Sequence, residues 1–233
     1  MRHLVCNGDV QQLSTDTPDR SGRTLTDYPR PSLAVDTALL TVPAGSATLH
    51  VLLIRRAGAH LKGSWSLPGT FLHPGERLAD AVLRSLRDKA GLAGTAPRQL
   101  HVFDDPDRDD RGWVISVAHV DVVAHPRISG ALSARADVRL VPVEDAVDLP
   151  FDHDEIVARA VAHVRDRYTD RPDPDRLLPD EITLHQLRRL HEAVLGQSLL
   201  KDTFRRRMQP MLTATEKLSQ GEVGKPARIF RHR

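Results

Sequence analysis

An α+β fold in two domains is what this sequence predicts, and three observations carry the expectation. The chain has 233 residues, more than one ordinary domain requires. Short β-rich runs and amphipathic helical stretches alternate between Leu33 and Tyr168 without an internal repeat, as expected for strands and helices packed around a common core. From Thr183 the pattern changes to helix, short turn, helix and hairpin. Hydrophobic residues make up 40% and charged residues 27%, enough for both a buried core and a solvated surface. No stretch approaches the roughly 18 apolar residues of a membrane span. The N-terminus turns polar directly after Met-Arg-His-Leu-Val-Cys, without the apolar segment of a secretory signal. The one cysteine, Cys6, can form neither an intrachain disulfide nor a thiolate-rich zinc site. A soluble cytoplasmic protein is expected.

In chain order, residues 1–32 are polar, lack apolar periodicity and end in Tyr28-Pro29-Arg30-Pro31, the composition of a flexible arm. Leu33 to Val42 and Thr48 to Ile54 are β-rich runs separated by Pro43-Ala44-Gly45. A long loop from Arg55 to Pro68 leads to a short extended piece around Phe71. Glu76 to Ala90 has helical spacing through Leu78, Ala79, Val82, Leu83 and Leu86, and Gly91 is a suitable stop. Leu100–Phe103, Trp113–Val123 and Val138–Val143 read as strands, and Asp154–Tyr168 as an amphipathic helix. The expected first domain is therefore 33–169. Asp170-Arg-Pro-Asp-Pro174 cannot continue a helix, so 170–182 reads as a linker to a second domain at 183–233. There Thr183 is a good N-cap for Leu184–Leu195, Gly196 follows it, and a second helix spans about Leu199–Gln209 until Pro210. Gly221 and Gly224 lie between two potential strands. That order is a winged helix-turn-helix.

Charge is distributed unevenly. From Leu184 to Arg233 there are eleven Lys/Arg against four Asp/Glu, a balance of +7, which leaves −5 on the remainder of a chain whose total is +2. Such asymmetry fits either a solvated basic face or a C-terminal module that meets a polyanion. Ordered apolar positions favour the second. Leu200, Phe204 and Met208 recur every fourth residue and are expected to face a core, turning Asp202, Arg205, Arg206 and Gln209 outward with Lys201, Thr203 and Arg207 on the flanks. Arginine and amide side chains on an exposed helix suit phosphates and base edges in a major groove. Lys217, Lys225, Arg228, Arg231 and Arg233 in the hairpin region suit backbone phosphates.

The first domain carries a more specific signal. Leu67-Pro-Gly69 to Glu76, Arg84 eight residues later, and Ala90-Gly-Leu92 resemble the Nudix box. That resemblance implies an α/β/α sandwich with a mixed sheet, in which a loop-helix-loop uses glutamates to hold Mg²⁺ against a nucleoside diphosphate. Glu76, Arg84, Gly91 and Leu92 match the pattern. Thr70 replaces its first glycine, and Ser85, Asp88 and Lys89 replace the three core glutamates. Metal-assisted hydrolysis needs clustered carboxylates, so Gly69, Glu76, Arg84 and Asp88 read as the remnant of a site whose catalysis is lost, with no metal or cofactor required. A working ADP-ribose pyrophosphatase with an accessory nucleic-acid-binding module is the alternative.

A retained pocket is expected nonetheless. Phe103 to Gly112 resembles the Arg-Asp-Pro-Arg-Gly segment of Nudix proteins acting on ADP-ribose, with Asp110 in place of proline, and Leu149–Asp154 resembles the end of the same subgroup. Arg55, Arg56, Arg108 and Arg111 are fork-shaped donors suited to a pyrophosphate, and each alone fits a surface salt bridge. Trp65 and Trp113 fit adenine stacking or core packing.

Taken together, the two domains resemble the Nudix-related transcriptional regulators (NrtR). Leu195-Gly196, Leu199, Lys201, Phe204-Arg-Arg206 and Gly224-Lys-Pro-Ala-Arg-Ile-Phe230 carry the C-terminal part of the likeness, with Asp202 and Thr203 departing from it. The resemblance implies a homodimeric repressor of NAD-biosynthesis genes, bound to a palindromic operator in double-stranded DNA and released by ADP-ribose or a related NAD metabolite. Expected effector contacts are Arg55, Arg56, Trp65, Arg108 and Arg111. Expected DNA contacts are Lys201, Thr203, Arg205, Arg206, Gln209, Lys225 and Arg228.

Overall fold

The computed structural model describes residues 17–219 and 226–233, and the chain divides into two compact units after Pro31. In the first unit a 3₁₀ turn at Leu25–Asp27 is closed by Asp27, whose carboxylate accepts from the Thr24 amide and hydroxyl.

The second unit begins with β1 (Ser32–Thr41) and continues through β2 (His50–Arg55), β3 (Trp65–Ser66) and β4 (Gly69–Phe71). With β5 (Arg98–Phe103), β6 (Val114–Val122) and β7 (Val138–Pro142) these form one seven-stranded mixed sheet. β1 and β6 are parallel from Ser32↔Val114 to Leu40↔Val122, and the other pairs are antiparallel. The opposite edge of β1 is shared. Ala34–Asp36 pair with β4, whereas Leu40 and Thr41 pair with β2. The sheet opens between those pairings, and Asp36 stands at the opening.

Three helices cover the sheet: α1 (Leu78–Ala90), α2 (Ser129–Ala134) and α3 (His153–Tyr168). Side chains alternate across a strand, and the packing follows that period. Val51 and Leu53 join the core beneath α3, while Leu52 and Ile54 join the core beneath α1. Each fully buried aliphatic side chain contributes roughly 1.5–3 kcal/mol relative to exposure. α1 buries Ala81, Val82, Ser85, Leu86 and Ala90, leaving Leu83 40% exposed. It ends where Gly91 adopts φ 69° and its amide donates to the Arg87 carbonyl at 3.0 Å, a conformation that costs glycine little.

The C-terminal part comprises β8 (Glu181–Thr183), α4 (Leu184–Leu195), α5 (Lys201–Met208), β9 (Leu212–Leu218) and β10 (Arg228–His232), with sheet order β8-β10-β9. Thr183 caps α4 reciprocally: the Gln186 amide donates to its hydroxyl at 3.2 Å, and its own amide donates to the Gln186 side chain at 2.8 Å. Gly196 ends α4 with φ 69°. Ile182, Leu187, Phe204, Met208, Leu212 and Phe230 form the local core. Leu200 corrects one expectation. It is the N-cap of α5 and 79% exposed, because the helical turn that would direct it inward begins one residue later. β8 and α2 were not anticipated either. The expected hairpin turn, with Gly221, Gly224 and Lys225, lies outside the described residues.

Residues 170–182, read as a linker, are packed. Tyr168 Oη and the Leu177 and Leu178 amides donate to the buried Asp173 carboxylate at 3.0, 3.0 and 2.9 Å. His191 Nε2 lies 2.8 Å from the Pro172 carbonyl oxygen. Leu190 and Val194 of α4 enter the same core as α3.

Candidate functional site

A cavity of about 430 Å³ opens where β1 and β2 separate, between α1 and the loops carrying Arg55–Gly58, Arg108–Arg111 and Phe151. Arg55, Arg56, Arg108 and Arg111 all line it, as do Gly69 and Asp88. Trp65 does not. Its ring packs on the core beneath α3 and lies under the Arg139 guanidinium, 4.0 Å from the ring centre. Trp113 is 48% exposed and also outside the cavity lining. The aromatic walls are Phe71 and Phe151. Arg111 lies 5.3 and 5.4 Å from their ring centres, and Arg56 lies 5.1 Å from that of Phe151, distances at which a cation is attracted to a ring face. Neither phenylalanine has a periodicity signal. Phe151 adopts φ 61°, within the Leu149–Asp154 segment that the sequence singles out.

The arginines are positioned differently. Arg108, with 3% of its side chain exposed, is clamped by Asp152 through contacts of 2.7 and 2.5 Å. Arg111 is clamped by Asp109 at 2.8 and 2.6 Å. Arg55 and Arg56 donate to the carbonyls of Gly63 and His60, each at 3.3 Å. Among the described residues lining the cavity, Arg55, Arg56 and Lys89 are the cations without an ion-pair partner.

Beneath them lies a buried polar network. Asp36 accepts from Ser116 Oγ at 2.6 Å and lies 3.3 Å from His153 Nε2 and 3.7 Å from Arg108. The Leu67 amide donates to His153 Nδ1 at 3.1 Å, which assigns a proton to Nε2 facing Asp36. Burial alone would push the Asp36 carboxyl up, but His153, Ser116 and Arg108 outweigh it and hold the pKa below the ordinary value.

The remnant box does not fit a divalent cation. Arg84 donates to both oxygens of Glu76 at 2.7 and 2.8 Å, and the His73 amide adds a third bond at 2.9 Å. Arg84 first and then the His73 amide hold that carboxyl down to about 2. Both oxygens are therefore committed. Ser85 is buried with an unpartnered hydroxyl, and Asp88 pairs with Arg87 at 2.9 Å. Lys89 Nζ donates to the Gly69 carbonyl. Neither Glu76 nor Arg84 lines the cavity. Elsewhere His60, Asp109 and Asp110 bring ligand-type atoms within 4.8 Å of one another, but both oxygens of Asp109 already accept from Arg111.

The second surface is built by α5 and the adjoining hairpin. Phe204 and Met208 are buried, whereas Lys201, Asp202, Thr203, Arg205, Arg206, Arg207 and Arg228 are exposed. Arg205 Nε donates to Gln209 Oε1 at 2.9 Å. These two side chains, Arg206 and Arg233 border one groove, whereas Thr203 and Arg207 border another beside Tyr168 and His191. Lys217 and Arg231 are paired with Glu181, so the pattern of free cations is narrower than the sequence implies. Lys225 lies outside the described residues. No helix among the described residues is long and apolar enough to cross a membrane.

Comparison with known proteins matches both surfaces to one architecture. The NUDIX domain model matches residues 32–164, and the model of the NrtR DNA-binding winged helix domain matches residues 175–232. The ADPR responsive transcriptional repressor NtrR of Acinetobacter baylyi is 31% identical over 210 residues, which is 88% of this chain and 83% of that protein. The crystal structure of Shewanella oneidensis NrtR complexed with a 27mer DNA has a TM-score of 0.73 at 28% identity, covering 86% of this chain and 93% of that one. The NUDIX domain of the same Shewanella oneidensis protein, complexed with ADP ribose, has a TM-score of 0.53 at 27% identity, covering 62% and 95%. With its Nudix sheet, its cationic pocket and its winged helix in this order, the chain belongs to the NrtR family of Nudix-related transcriptional regulators.

Proposed function

We propose that this protein is an ADP-ribose-responsive transcriptional repressor that acts in the cytoplasm as a homodimer on a palindromic operator, controlling NAD-biosynthesis genes. The observation that carries the proposal is the continuity between its two surfaces. His153, at the first turn of α3, contacts Asp36 beneath the pocket. Tyr168, at the last turn, lies 5.2 Å ring to ring from His191 of α4, which in turn lies 5.0 Å from Phe204 of α5. A helix of 16 residues spans roughly 24 Å. Ligand binding at one end therefore acts on packing that positions the reading helix at the other.

The relatives' ADP-ribose and DNA complexes support the choice of ligands. The commitment of Glu76 and the substitutions at Ser85 and Lys89 support sensing without hydrolysis, which leaves the signal unconsumed. ADP-ribose shifts the equilibrium only by its differential affinity for the DNA-competent and DNA-incompetent arrangements. Operator DNA consequently lowers ADP-ribose affinity by the factor by which ADP-ribose lowers operator affinity.

The test begins with genome-wide recovery of bound fragments to define the operator, followed by ADP-ribose titration of the protein–operator complex. The expected result is release, with ligand binding to free protein in the same concentration range and no Mg²⁺-dependent AMP formation above that of Glu76→Ala. Ligand binding with unchanged operator affinity refutes the regulatory reading. Robust hydrolysis abolished in Glu76→Ala establishes the pyrophosphatase reading instead.

A further inference from the structure

We propose that Lys89 is a built-in replacement for the divalent cation: its ammonium neutralises the diphosphate of the ligand, so that binding in this pocket is independent of metal. The inference rests on the ADP-ribose reading above and deepens it. Three observations converge on Lys89. First, the box is left without a carboxylate cluster, because both oxygens of Glu76 are taken by Arg84 and the His73 amide, Ser85 is a neutral buried hydroxyl, and Asp88, the one acid of the box that lines the cavity, has an oxygen on Arg87. Second, the position of Lys89 is fixed by the fold. Its Nζ donates to the carbonyl of Gly69, and Gly69 is wedged against β1 so tightly that an added Cβ would stand 1.9 Å from Asp36 Oδ1. Third, the arginines deeper in the cavity are already committed. Arg108 is held by Asp152 and Arg111 by Asp109, which leaves Lys89 with Arg55 and Arg56 as the unpaired positive charge lining the cavity among the described residues.

A diphosphate diester carries two negative charges, and a cationic site that receives it needs donors as well as charge. An ammonium has three N–H donors. One is spent on Gly69, so the others remain for phosphoryl oxygens. Desolvation by the surrounding cavity wall first, and then the neighbouring Arg56, lower the Lys89 pKa from its ordinary value. A divalent ion placed beside this ammonium would meet like charge, with no free carboxylate pair to offset the repulsion. Lys89 thus turns a site for a metal–diphosphate complex into one for the diphosphate alone.

The experiment is calorimetric titration of the full chain with ADP-ribose, once in EDTA and once in excess Mg²⁺, for the parent, Lys89→Met and Lys89→Arg. Thermal melts confirm that each variant is folded. The parent is expected to bind equally in both buffers. Lys89→Met, which keeps the apolar stem and removes the charge, is expected to weaken binding about 10- to 100-fold, the range for a lost hydrogen bond to a charged group. Lys89→Arg is expected to keep most of the affinity. Parent binding that requires Mg²⁺, or Lys89→Met binding as the parent does, overturns the proposal while leaving ADP-ribose as the effector. Absence of ADP-ribose binding by the parent in both buffers overturns the effector reading together with this one.

Discussion

Gly69→Ala is a sharp test of how the fold builds its pocket. Gly69 lies on β4 opposite Asp36 of β1. An added methyl would stand 1.9 Å from Asp36 Oδ1 and 2.8 Å from the Val35 carbonyl oxygen. Neither neighbour can yield cheaply. Moving the Asp36 carboxylate takes it from Ser116 and His153, and moving the backbone peels β4 from its three-residue pairing with β1. Overpacking a fitted site costs roughly 1–3 kcal/mol, and stranding buried donors adds about 1–3 kcal/mol. A loss near the middle of their sum, about 4 kcal/mol, corresponds to a drop of roughly 8–16 °C in a chain of this size. The assay is thermal unfolding followed by circular dichroism, with ADP-ribose affinity measured alongside. Gly130→Ala is the control. It lies in α2 with nothing within 4 Å of an added Cβ, so the same substitution there should raise stability by up to about 1 kcal/mol. A Gly69→Ala protein that melts within a degree or two of the parent would show that Asp36 is not held as described, and the account of the pocket floor would fail.

Two further outcomes follow from the same structure. Arg205→Ala and Arg206→Ala should each weaken operator binding, by roughly 1–3 kcal/mol where the side chain reads a base edge, while filter binding to unrelated duplexes changes less; parental operator affinity in both would remove α5 as the reading element. ADP-ribose affinity should also fall on the alkaline side, because burial and then Arg56 lower the Lys89 pKa below the ordinary lysine range. The ammonium is intact below that pKa and lost as pH rises through it, so calorimetry across this window should show a decline that Lys89→Arg abolishes.

What was legible in the sequence was local. Thr183 and Gly196 state the limits of α4 in side-chain and backbone chemistry that needs no distant partner, and the helix runs from Leu184 to Leu195. The Nudix box is likewise a contiguous signature, and it brought Gly69 and Asp88 to the cavity. Long-range partners were not legible. Phe71 and Phe151 line one cavity from segments far apart in the chain, and Arg108 spends its fork on Asp152, 44 residues away. β8 has three residues and exists as a strand only because β10 pairs with it. α2 contains Gly130 and two serines, a weak intrinsic helix held by Ala131 and Leu132 against the core beneath α1. In the sequence Lys89 is only a departure from the box; its contact with Gly69 is what gives it a position.

The packing of α4 determines which kind of switch this architecture permits. Leu187 belongs to the core of the winged module, whereas Leu190 and Val194, one and two turns along, belong to the core beneath α3. A reading helix on a flexible tether would be insensitive to pocket occupancy, since a tether transmits no orientation. Here α5 cannot turn relative to the Nudix sheet unless α4 repacks against α3, and Asp173 holds that junction through Tyr168 and two backbone amides. Close-packed interfaces change between discrete arrangements and do not deform continuously. On the proposed reading, a small displacement of His153 or Asp152 by ligand would be transmitted along α3 as a choice between packings of α4, with the free energy of that choice limited by the ligand's preference for one of them.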